Sequence, residues 1–309
     1  MGIRVLKGGM MTTVQDLGRT GYQSQGFSVS GVMDVRSFKI ANLLLDNPEN
    51  EAVLEFTLIG PTLEFTSETI ISITGGDFRP QINGKPAKMY TAIYMHRGDI
   101  LTFGGARTGT RGYIAFSSYL DVPVVMGSRS TNIKCQIGGY KGRKLEDEDY
   151  IAFRAKRRYL PYYLSRSLDL DEFDQEKITL RVVMGPQEKM FTKEGRETFL
   201  NSEYTVTSEF DRMGCRLEGP FIAYKTTSDI ISDGIAFGSV QVPSHGKPII
   251  LLADRQTTGG YAKIATVVSV DIPKLVQRKT EQKVRFQAVS VEEAQKLLAD
   301  EMKELNDFR

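Results

Sequence analysis

The sequence is poor in the residues that build disulfides and metal sites. Its 309 residues include two cysteines, Cys135 and Cys215, and two histidines, His96 and His245. Two distant cysteines form neither a disulfide framework nor a structural zinc site, and neither histidine lies in a cluster with metal-ligand spacing. We therefore expect a reducing compartment, no metal in this chain and no Ser-His-Asp triad.

Charge of one sign and long apolar runs are also lacking. The formal net charge is +2, which predicts no nucleic-acid partner, and no apolar run approaches the length that spans a membrane. The N-terminal segment lacks the apolar core of a signal peptide. Basic residues at 141–144 and 154–158 flank an acidic stretch and indicate a solvated face, with a phosphate or nucleic-acid patch as the lesser alternative. The prediction is a cytoplasmic protein without membrane contact.

Short strands separated by glycine turns make up most of the chain. Residues 62–116 alternate apolar and polar side chains, and Asn83-Gly84 and Gly104-Gly105 are dipeptides typical of β-hairpins. A helix is predicted after Asp34, a good N-cap, with Phe38, Ala41 and Leu45 on one face. The pattern favours a mainly β fold with a few helices, as a barrel or sandwich.

The chain changes character between about 154 and 177, where charge and tyrosine replace strand alternation. A weak repeat, "IRVLKGG" at 3–9 and "LRVVMGP" at 180–186, indicates two related halves. A capping box, Ser290 with Glu293, opens a last helix whose apolar stripe we expect to brace the surface. The predicted organisation is an N-terminal half at 1–160, a linker at 161–178, a C-terminal half at 179–289 and a C-terminal helix at 290–309.

Three polar clusters are candidate sites. In the first, 12–34, Asp16 and Arg19 lie close together in a glycine-bracketed loop, and Ser30 leads into a helix N-terminus that could hold an anion. The structural alternative is an Asp16–Arg19 pair that staples the loop, joined to a simple N-cap, and composition alone favours it. In the second, Ser128 and Arg129 begin a run of five hydrogen-bonding residues, which suits a ligand loop and a plain surface turn equally.

The third cluster follows an apolar run in "KPIILLADRQTTGGYAKIATV", 247–267. Asp254 could act as a base or hold water, and Arg255 could bind a carboxylate or phosphate. The residues after Gln256 could present successive backbone N–H groups to an anion. The structural alternatives are that Asp254 and Arg255 pair with each other, or that one of them is buried and satisfied by its neighbours.

Several segments together resemble one family. They are "TTVQDLGRTGYQSQGFSVSGVMD", "ANLLLDNPENEAVLE", "GSRSTN", "DRMGCRLEG", "GSVQVP" and "LLADRQTTGGYAKIATV". In this order, the segments resemble the family that includes the C subunit of 5-oxoprolinase and the KipI antagonist KipA. This family is carboxyltransferase-like and was formerly called allophanate hydrolase subunit 2. The resemblance runs from about residue 3 to 290 and implies tandem cyclophilin-like β-barrel domains.

The resemblance also implies an activity and partners. The chain would be the C subunit of an ATP-dependent 5-oxoprolinase that opens 5-oxo-L-proline to L-glutamate. It would be a hydrolase acting on a cyclic amide, active only together with a KipI-like B subunit and a LamB/YcsF-like A subunit. The complex would bind ATP, although this chain has no recognised phosphate loop.

Site roles follow from the resemblance and the residue types. Asp254 would be a base or position water, and Arg255 and Lys263 would stabilise an anion. Gln256 would hold the substrate amide. The substrate-binding residues would include an anion cradle and a facing wall: Thr257, Thr258, Gly259, Gly260 and Tyr261, with Asp16, Arg19, Ser30, Ser128 and Arg129.

Two other functions remain open. A regulatory protein in the KipA role would bind a kinase inhibitor, with the polar cluster inherited rather than used. A carboxyltransferase component of a urea carboxylase-like enzyme would use biotin carried by a separate protein. The absence of a biotin-carrier segment argues against a self-contained urea carboxylase.

Overall fold

The computed structural model describes residues 1–155, 160–169 and 173–308. These residues form two compact units. The first comprises the described residues of 1–20 and 30–174 with Phe308, and the second comprises 21–29 and 175–307. Residues 156–159, which include part of the basic cluster at 154–158, and residues 170–172 of the predicted linker lie outside the described residues. The predicted domain limits stay a prediction.

The first unit contains two antiparallel sheets. One has the strand order β11-β1-β4-β9-β6-β7 and the other has the order β2-β3-β10-β5-β8. The strands are β1 (Gly2–Lys7), β2 (Met11–Gln15), β3 (Val53–Thr57), β4 (Thr62–Phe65), β5 (Thr69–Gly75), β6 (Gln81–Ile82), β7 (Lys85–Pro86), β8 (Ala92–Met95), β9 (Ile100–Thr102), β10 (Arg111–Phe116) and β11 (Tyr150–Ala152).

Alternating side chains explain how these sheets share a core. Ile3, Leu63 and Leu101 of the first sheet and Phe56 and Ile114 of the second are fully buried in one cluster. Burying such side chains contributes roughly 1.5–3 kcal/mol each, so this cluster contributes strongly to the unit's stability.

Helix α1 (Val35–Leu44) covers the other face of the second sheet. The prediction for this helix is confirmed: the Asp34 carboxylate accepts from Ser37 N at 2.8 Å. Phe38, Ala41 and Leu45 are buried as expected.

The two glycine dipeptides have different outcomes. Asn83 and Gly84 both have positive φ, at 52° and 77°, and close the hairpin between β6 and β7, as predicted. The hairpin prediction for Gly104-Gly105 is wrong, because this pair joins β9 to β10, which belong to different sheets. Local composition identifies a turn here, but pairing is decided by the core.

The second unit contains a closed barrel of seven strands in the order β12-β19-β16-β17-β14-β13-β20. Strands β12 and β20 run parallel, and the other neighbouring strands of the barrel are antiparallel. Strands β15 and β18 form a separate ribbon. The strands are β12 (Lys177–Met184), β13 (Tyr204–Phe210), β14 (Gly214–Glu218), β15 (Asp229–Gly234), β16 (Ser239–Gln241), β17 (Ile249–Leu251), β18 (Thr258–Tyr261), β19 (Lys263–Val267) and β20 (Lys283–Ala288). The mainly β fold with a few helices is confirmed.

Three helices accompany the barrel: α2 (Lys193–Asn201), α3 (Ile272–Val276) and α4 (Val291–Asp307). The capping box of α4 is present, since Glu293 N donates to Ser290 Oγ and Ser290 N donates to the Glu293 carboxylate. Its apolar stripe is less buried than a brace would be, with Leu298 41% and Met302 50% exposed, whereas Leu305 is buried. No helix in the described ranges is long and apolar enough to cross a membrane.

A buried carboxylate ties α3 to the barrel. Asp271, which is fully buried, accepts from Arg181 N, Nε and Nη2 and from Lys274 Nζ, at 2.6 to 2.8 Å. Burial by itself raises the pKa of the Asp271 carboxyl, but the hydrogen bonds from Arg181 and Lys274 outweigh it and hold the pKa below its usual range. The ionised carboxylate therefore stabilises the fold.

This network makes a pH-dependent prediction. We expect Asp271→Asn to lower the free energy of unfolding by about 2 to 3 kcal/mol at pH 7, because it leaves the partly buried Arg181 without its counter-charge. The folded pKa lies below the unfolded value of about 3.9, so the contribution is complete above about pH 4 and is lost as the pH falls further. Urea unfolding at pH 7 and pH 3 measures both. A deficit that stayed constant between these pH values would contradict the assignment.

Candidate functional site

The carboxylate of Asp16 organises the polar cluster of the first unit. This side chain is 2% exposed and accepts hydrogen bonds from Ser128 Oγ, Ser130 Oγ, Arg129 N and Gly18 N, at 2.5 to 2.8 Å. Both carboxylate oxygens are therefore engaged. The geometry is that of a loop staple, which joins the segment after β2 to the segment 128–130.

The loop 128–132 is not a surface turn. Thr131 Oγ1 donates to Val14 O at 2.9 Å, and Asn132 Nδ2 donates to Ser30 Oγ at 3.0 Å. The side chains of Ser128, Ser130, Thr131 and Asn132 are all buried. The surface-turn alternative for this loop is therefore wrong, since its hydroxyl and amide groups satisfy buried partners within the unit.

Arg19 lies beneath the same loop. It is 1% exposed, and its Nη2 donates to Ser130 O. A methyl group on Gly138 would lie 2.6 Å from Arg19 Nη2 and 2.2 Å from Ser130 O. Gly138 is thus required for the guanidinium and the loop to approach the backbone, and φ of +68° at Gly138 favours glycine as well. Arg129 is half-buried.

In the second unit, Asp254 pairs with Arg212 rather than with its neighbour in the sequence. Arg212 Nε lies 2.9 Å from Asp254 Oδ2, and Arg212 Nη2 lies 3.3 Å from Oδ1. Both side chains are 12% exposed, and Asp254 N donates to Arg212 O at 2.8 Å. A planar fork on a carboxylate fixes both groups in orientation. Of the two structural alternatives, the Asp254–Arg255 pair is replaced by this longer-range pair, whereas the other, a buried residue satisfied by its neighbours, is confirmed for Arg255.

Arg255 is a buried cation held by carbonyl oxygens. It is 7% exposed, and its Nε and Nη1 donate to Ile235 O and Leu252 O, each at 3.1 Å. Its guanidinium lies 5.6 Å from the ring centre of Phe237, and its backbone carbonyl accepts from Ser28 Oγ at 2.7 Å. Burial lowers the pKa of Arg255, and the charge of Asp254 opposes this. Arg255 thereby joins three segments of this unit.

Lys263 forms an ion pair at the base of the ribbon. Its side chain is 5% exposed, and Nζ lies 3.0 Å from Asp233 Oδ2. The hydrogen bond from Lys263 lowers the pKa of the Asp233 carboxyl. Gln187 contacts both partners, because its Oε1 accepts from Lys263 N and its Nε2 donates to Asp233. The Lys263 ammonium is committed to this contact.

The segment predicted as an anion cradle is a strand. Thr258–Tyr261 pairs with Asp229–Gly234, with Asp233 opposite Gly259 and a bulge before it. Successive N–H groups of a strand point in opposite directions, so they do not converge on one anion. The expected cradle geometry is therefore incorrect. Glycine is needed at 259 for another reason: a Cβ there would lie 2.7 Å from Gln241 Nε2.

A cleft of about 530 Å³ lies beside β18, on the outer face of the barrel. Gln241, Ile249 and Arg216 stand side by side on that face, because the register pairs Gln241 and Arg216 with Ile249. The neighbouring Val240, Ile250 and Cys215 are fully buried on the opposite face. The residues that line the cleft come from the barrel, from β18 of the ribbon and from the loops beside them, and include Glu209, Asp211, Gly214, Arg216, Gln241, Ile249, Leu251, Gln256, Gly259, Gly260 and Tyr261.

The structure brings together only part of the predicted site. Gln256, Gly259, Gly260 and Tyr261 line the cleft. Asp254, Arg255 and Lys263 make the contacts above and do not line it. The predicted residues of the first unit, Asp16, Arg19, Ser30, Ser128 and Arg129, form their own cluster, and their role as a facing wall stays a prediction.

Four residues without a predicted role contact the predicted ones: Gln187 and Asp233 contact Lys263, Arg212 contacts Asp254, and Gln241 lines the cleft beside Tyr261. Arg212 and Gln241 lie in the family-like segments "DRMGCRLEG" and "GSVQVP". Their place in these segments is the sequence signal that could have identified them. Among the described residues, no group of three or more His, Cys, Asp or Glu side chains is arranged to hold a metal ion.

Two of the curated proteins that match nearly the whole chain are named as the C subunit of 5-oxoprolinase. The chain is 33% identical over 308 residues to the protein from Escherichia coli, covering 97% of this chain and 96% of the relative. It is 34% identical over 285 residues to the protein from Haemophilus influenzae, covering 92% of this chain and 90% of the relative.

A solved structure and a sequence family also match this chain. The crystal structure of the Kluyveromyces lactis urea carboxylase matches all of this chain with a TM-score of 0.92 and 29% identity, and the chain spans 29% of the length of that protein. Residues 25–288 match the family described as "Carboxyltransferase domain, subdomain A and B". The chain belongs to this carboxyltransferase domain family, as the resemblance in its sequence segments predicted.

Proposed function

We propose that this chain is the C subunit of an ATP-dependent 5-oxoprolinase, which opens 5-oxo-L-proline to L-glutamate. The observation that carries the proposal is the match to the E. coli protein of that name, which extends over 97% of this chain and 96% of the relative. A match over a fraction of a larger enzyme would support only a shared domain.

The reaction requires more than this chain supplies. A five-membered lactam is a resonance-stabilised amide, so attack by water needs an activated carbonyl carbon. Transfer of the ATP γ-phosphoryl group to the lactam oxygen would provide it, and water would then release glutamate and phosphate. The nucleotide and the remaining donors would come from the complex, in which this chain is joined by a KipI-like B subunit and a LamB/YcsF-like A subunit. The chain is a hydrolase component only in that assembly.

The cleft of the second unit is the proposed binding site for the lactam. Gln241 and Gln256 supply amide donors and acceptors that match a lactam, and Ile249 and Leu251 supply an apolar surface. Asp254 would position water or act as a base, and its two-point contact with Arg212 favours positioning. Arg255 and Lys263 would contribute positive charge from behind the loop, since both are buried.

We further propose that the assembly works in the cytoplasm. Cys135 and Cys215 are free thiols, and Cys135 is exposed. An exposed thiol suits a reducing compartment.

A carboxyltransferase role is the second candidate, and the urea carboxylase structure favours it. In that case a separate carrier protein would bring carboxybiotin to this chain, and the acceptor would take the carboxyl group. Incubation with carboxybiotin and candidate acceptors tests it, because ATP-independent carboxyl transfer is not expected of a 5-oxoprolinase component.

The proposal predicts a reconstitution result. The chain co-expressed with candidate A and B subunits should release glutamate from 5-oxoproline only with ATP, and omission of any one of the three proteins should abolish release. Glutamate and ADP are measured together, because coupled hydrolysis should give them in equal amounts. An assembled, ATP-binding complex that releases no glutamate would overturn the proposal.

Asp254 should matter for turnover beyond its contact with Arg212. In the reconstituted complex, we expect Asp254→Asn to lower kcat about 100-fold, the lower end of a general-base or water-positioning effect. Arg212→Gln breaks the same ion pair but keeps the carboxylate, so it should lose similar stability and retain more activity. Thermal unfolding and kcat of both variants are compared. An equal loss of kcat in Asp254→Asn and Arg212→Gln would show that Asp254 has only a structural role.

Gly259 should be needed for the cleft, and Gly234 of the same ribbon is its control. A methyl group at 259 would meet Gln241 Nε2 and Ile235 Cδ1, each at 2.7 Å, whereas one at 234 meets nothing within 4 Å. Gly259→Ala should therefore raise KM for 5-oxoproline about 10-fold by displacing Gln241, and Gly234→Ala should leave it unchanged. An unchanged KM and kcat in Gly259→Ala would show that 5-oxoproline does not bind in this cleft.

A further inference from the structure

A second cavity, in the first unit, is built around two arginines. It has a volume of about 350 Å³, and its lining includes Asp77, Arg79, Met89, Tyr90, Arg107 and Asp174. This volume is in the range of small-molecule sites. None of these residues belongs to the cleft or to the cluster around Asp16.

One carboxylate positions both arginines. Asp77 Oδ1 accepts from Arg79 N at 3.0 Å, and Asp77 Oδ2 lies 2.8 Å from Arg107 Nε. Arg107 N also donates to Asp77 O at 2.7 Å. Asp77 therefore contacts Arg79 through the backbone N–H group and Arg107 through the side chain. The charge of Asp77 is directed to Arg107 and does not neutralise the guanidinium of Arg79.

The Arg79 guanidinium is held flat against glycine backbone. Its Nη2 donates to Gly105 O at 3.2 Å, and a Cβ on Gly104 would lie 3.2 Å from Arg79 Nε. Within the described part of the chain, no carboxylate lies within ion-pair distance of Arg79. An oriented planar fork with no counter-charge is the group that binds a carboxylate by two parallel hydrogen bonds.

Two residues that line this cavity have strained backbone. Arg79 and Tyr90 both have positive φ, at 45° and 55°. Arg79 also precedes Pro80, a position that ordinarily prefers extended backbone. The Tyr90 hydroxyl donates to Gly75 O at 2.9 Å and accepts from Gly75 N at 3.0 Å, which fixes the wall beside it. Strained non-glycine residues persist where the surroundings hold them, and ligand sites are frequent among such places.

We propose that this cavity binds a small, singly charged carboxylate, anchored on Arg79. The apolar side of Met89 and the ring of Tyr90 would contact its carbon skeleton. Asp77 and Asp174 add negative charge to the lining, which disfavours a phosphate dianion relative to a carboxylate. The site is separate from the proposed lactam cleft, and it does not depend on the 5-oxoprolinase activity.

Titration calorimetry on the full chain alone tests the proposal, with 5-oxoproline, glutamate and inorganic phosphate as probes. We expect saturable binding of at least one of the two carboxylates, tighter than that of phosphate. Arg79→Asn should weaken this binding about 10- to 100-fold, the range of a charge-assisted pair. Arg285→Gln, at an exposed arginine paired with Glu203 in the second unit, should leave it unchanged.

Stability separates a ligand-binding role from a structural one. Asparagine tolerates positive φ better than arginine, so Arg79→Asn should keep or raise the Tm while it loses the ligand. Arg79→Lys keeps the charge without the fork and should bind with intermediate affinity. No saturable carboxylate binding, tighter phosphate binding, an unaltered affinity in Arg79→Asn or a marked fall in its Tm would each overturn the proposal.

Discussion

Buried carboxylates that accept several hydrogen bonds from a distant segment hold the loops of this chain in place. Asp16 accepts three such bonds in the first unit and Asp271 accepts three in the second, and each accepts a fourth from a residue within three positions of it. A carboxylate is suited to this because its two oxygens accept from backbone and side-chain donors at once. Burial without these donors would be costly, so each network forms as a whole or not at all. The strands supply the cores, whereas Asp16 fixes the loop at 128–130 and Asp271 ties α3 to the barrel.

Glycine has a complementary effect at the sites where loops meet the strands. Gly138 lets Arg19 and the carbonyl of Ser130 approach the backbone, and Gly259 lets the amide of Gln241 lie beneath the ribbon. In both cases a single methyl group would fill the space that a polar side chain occupies. The glycine that follows Thr258 is therefore explained by a neighbour on another strand, rather than by an anion held on its own N–H group.

The sequence predicted features that depend on local chemistry. The cap at Asp34, the buried face of α1, the turn at Asn83-Gly84 and the capping box of α4 each follow from residues within a few positions, and the structure has all of them. It did not predict partners that are far apart in the chain. Arg212 is 42 positions from Asp254, and Gln241 meets a strand whose position depends on a bulge. Composition at 254–261 indicated polar chemistry, but the fold decides which group faces which.

The arginines show why residue type alone could not assign the site. Arg212 makes a two-point contact with a carboxylate, Arg255 is enclosed by carbonyl oxygens and a ring, and Arg79 is oriented by Asp77 without a side-chain ion pair among the described residues. Pairing neutralises the first, and carbonyl groups occupy two donors of the second. An incoming anion gains most where the protein has already oriented a guanidinium and has not supplied the counter-charge, since no internal pair must be broken. By that criterion, the arginine outside the motif is better prepared for an anion than the one within it.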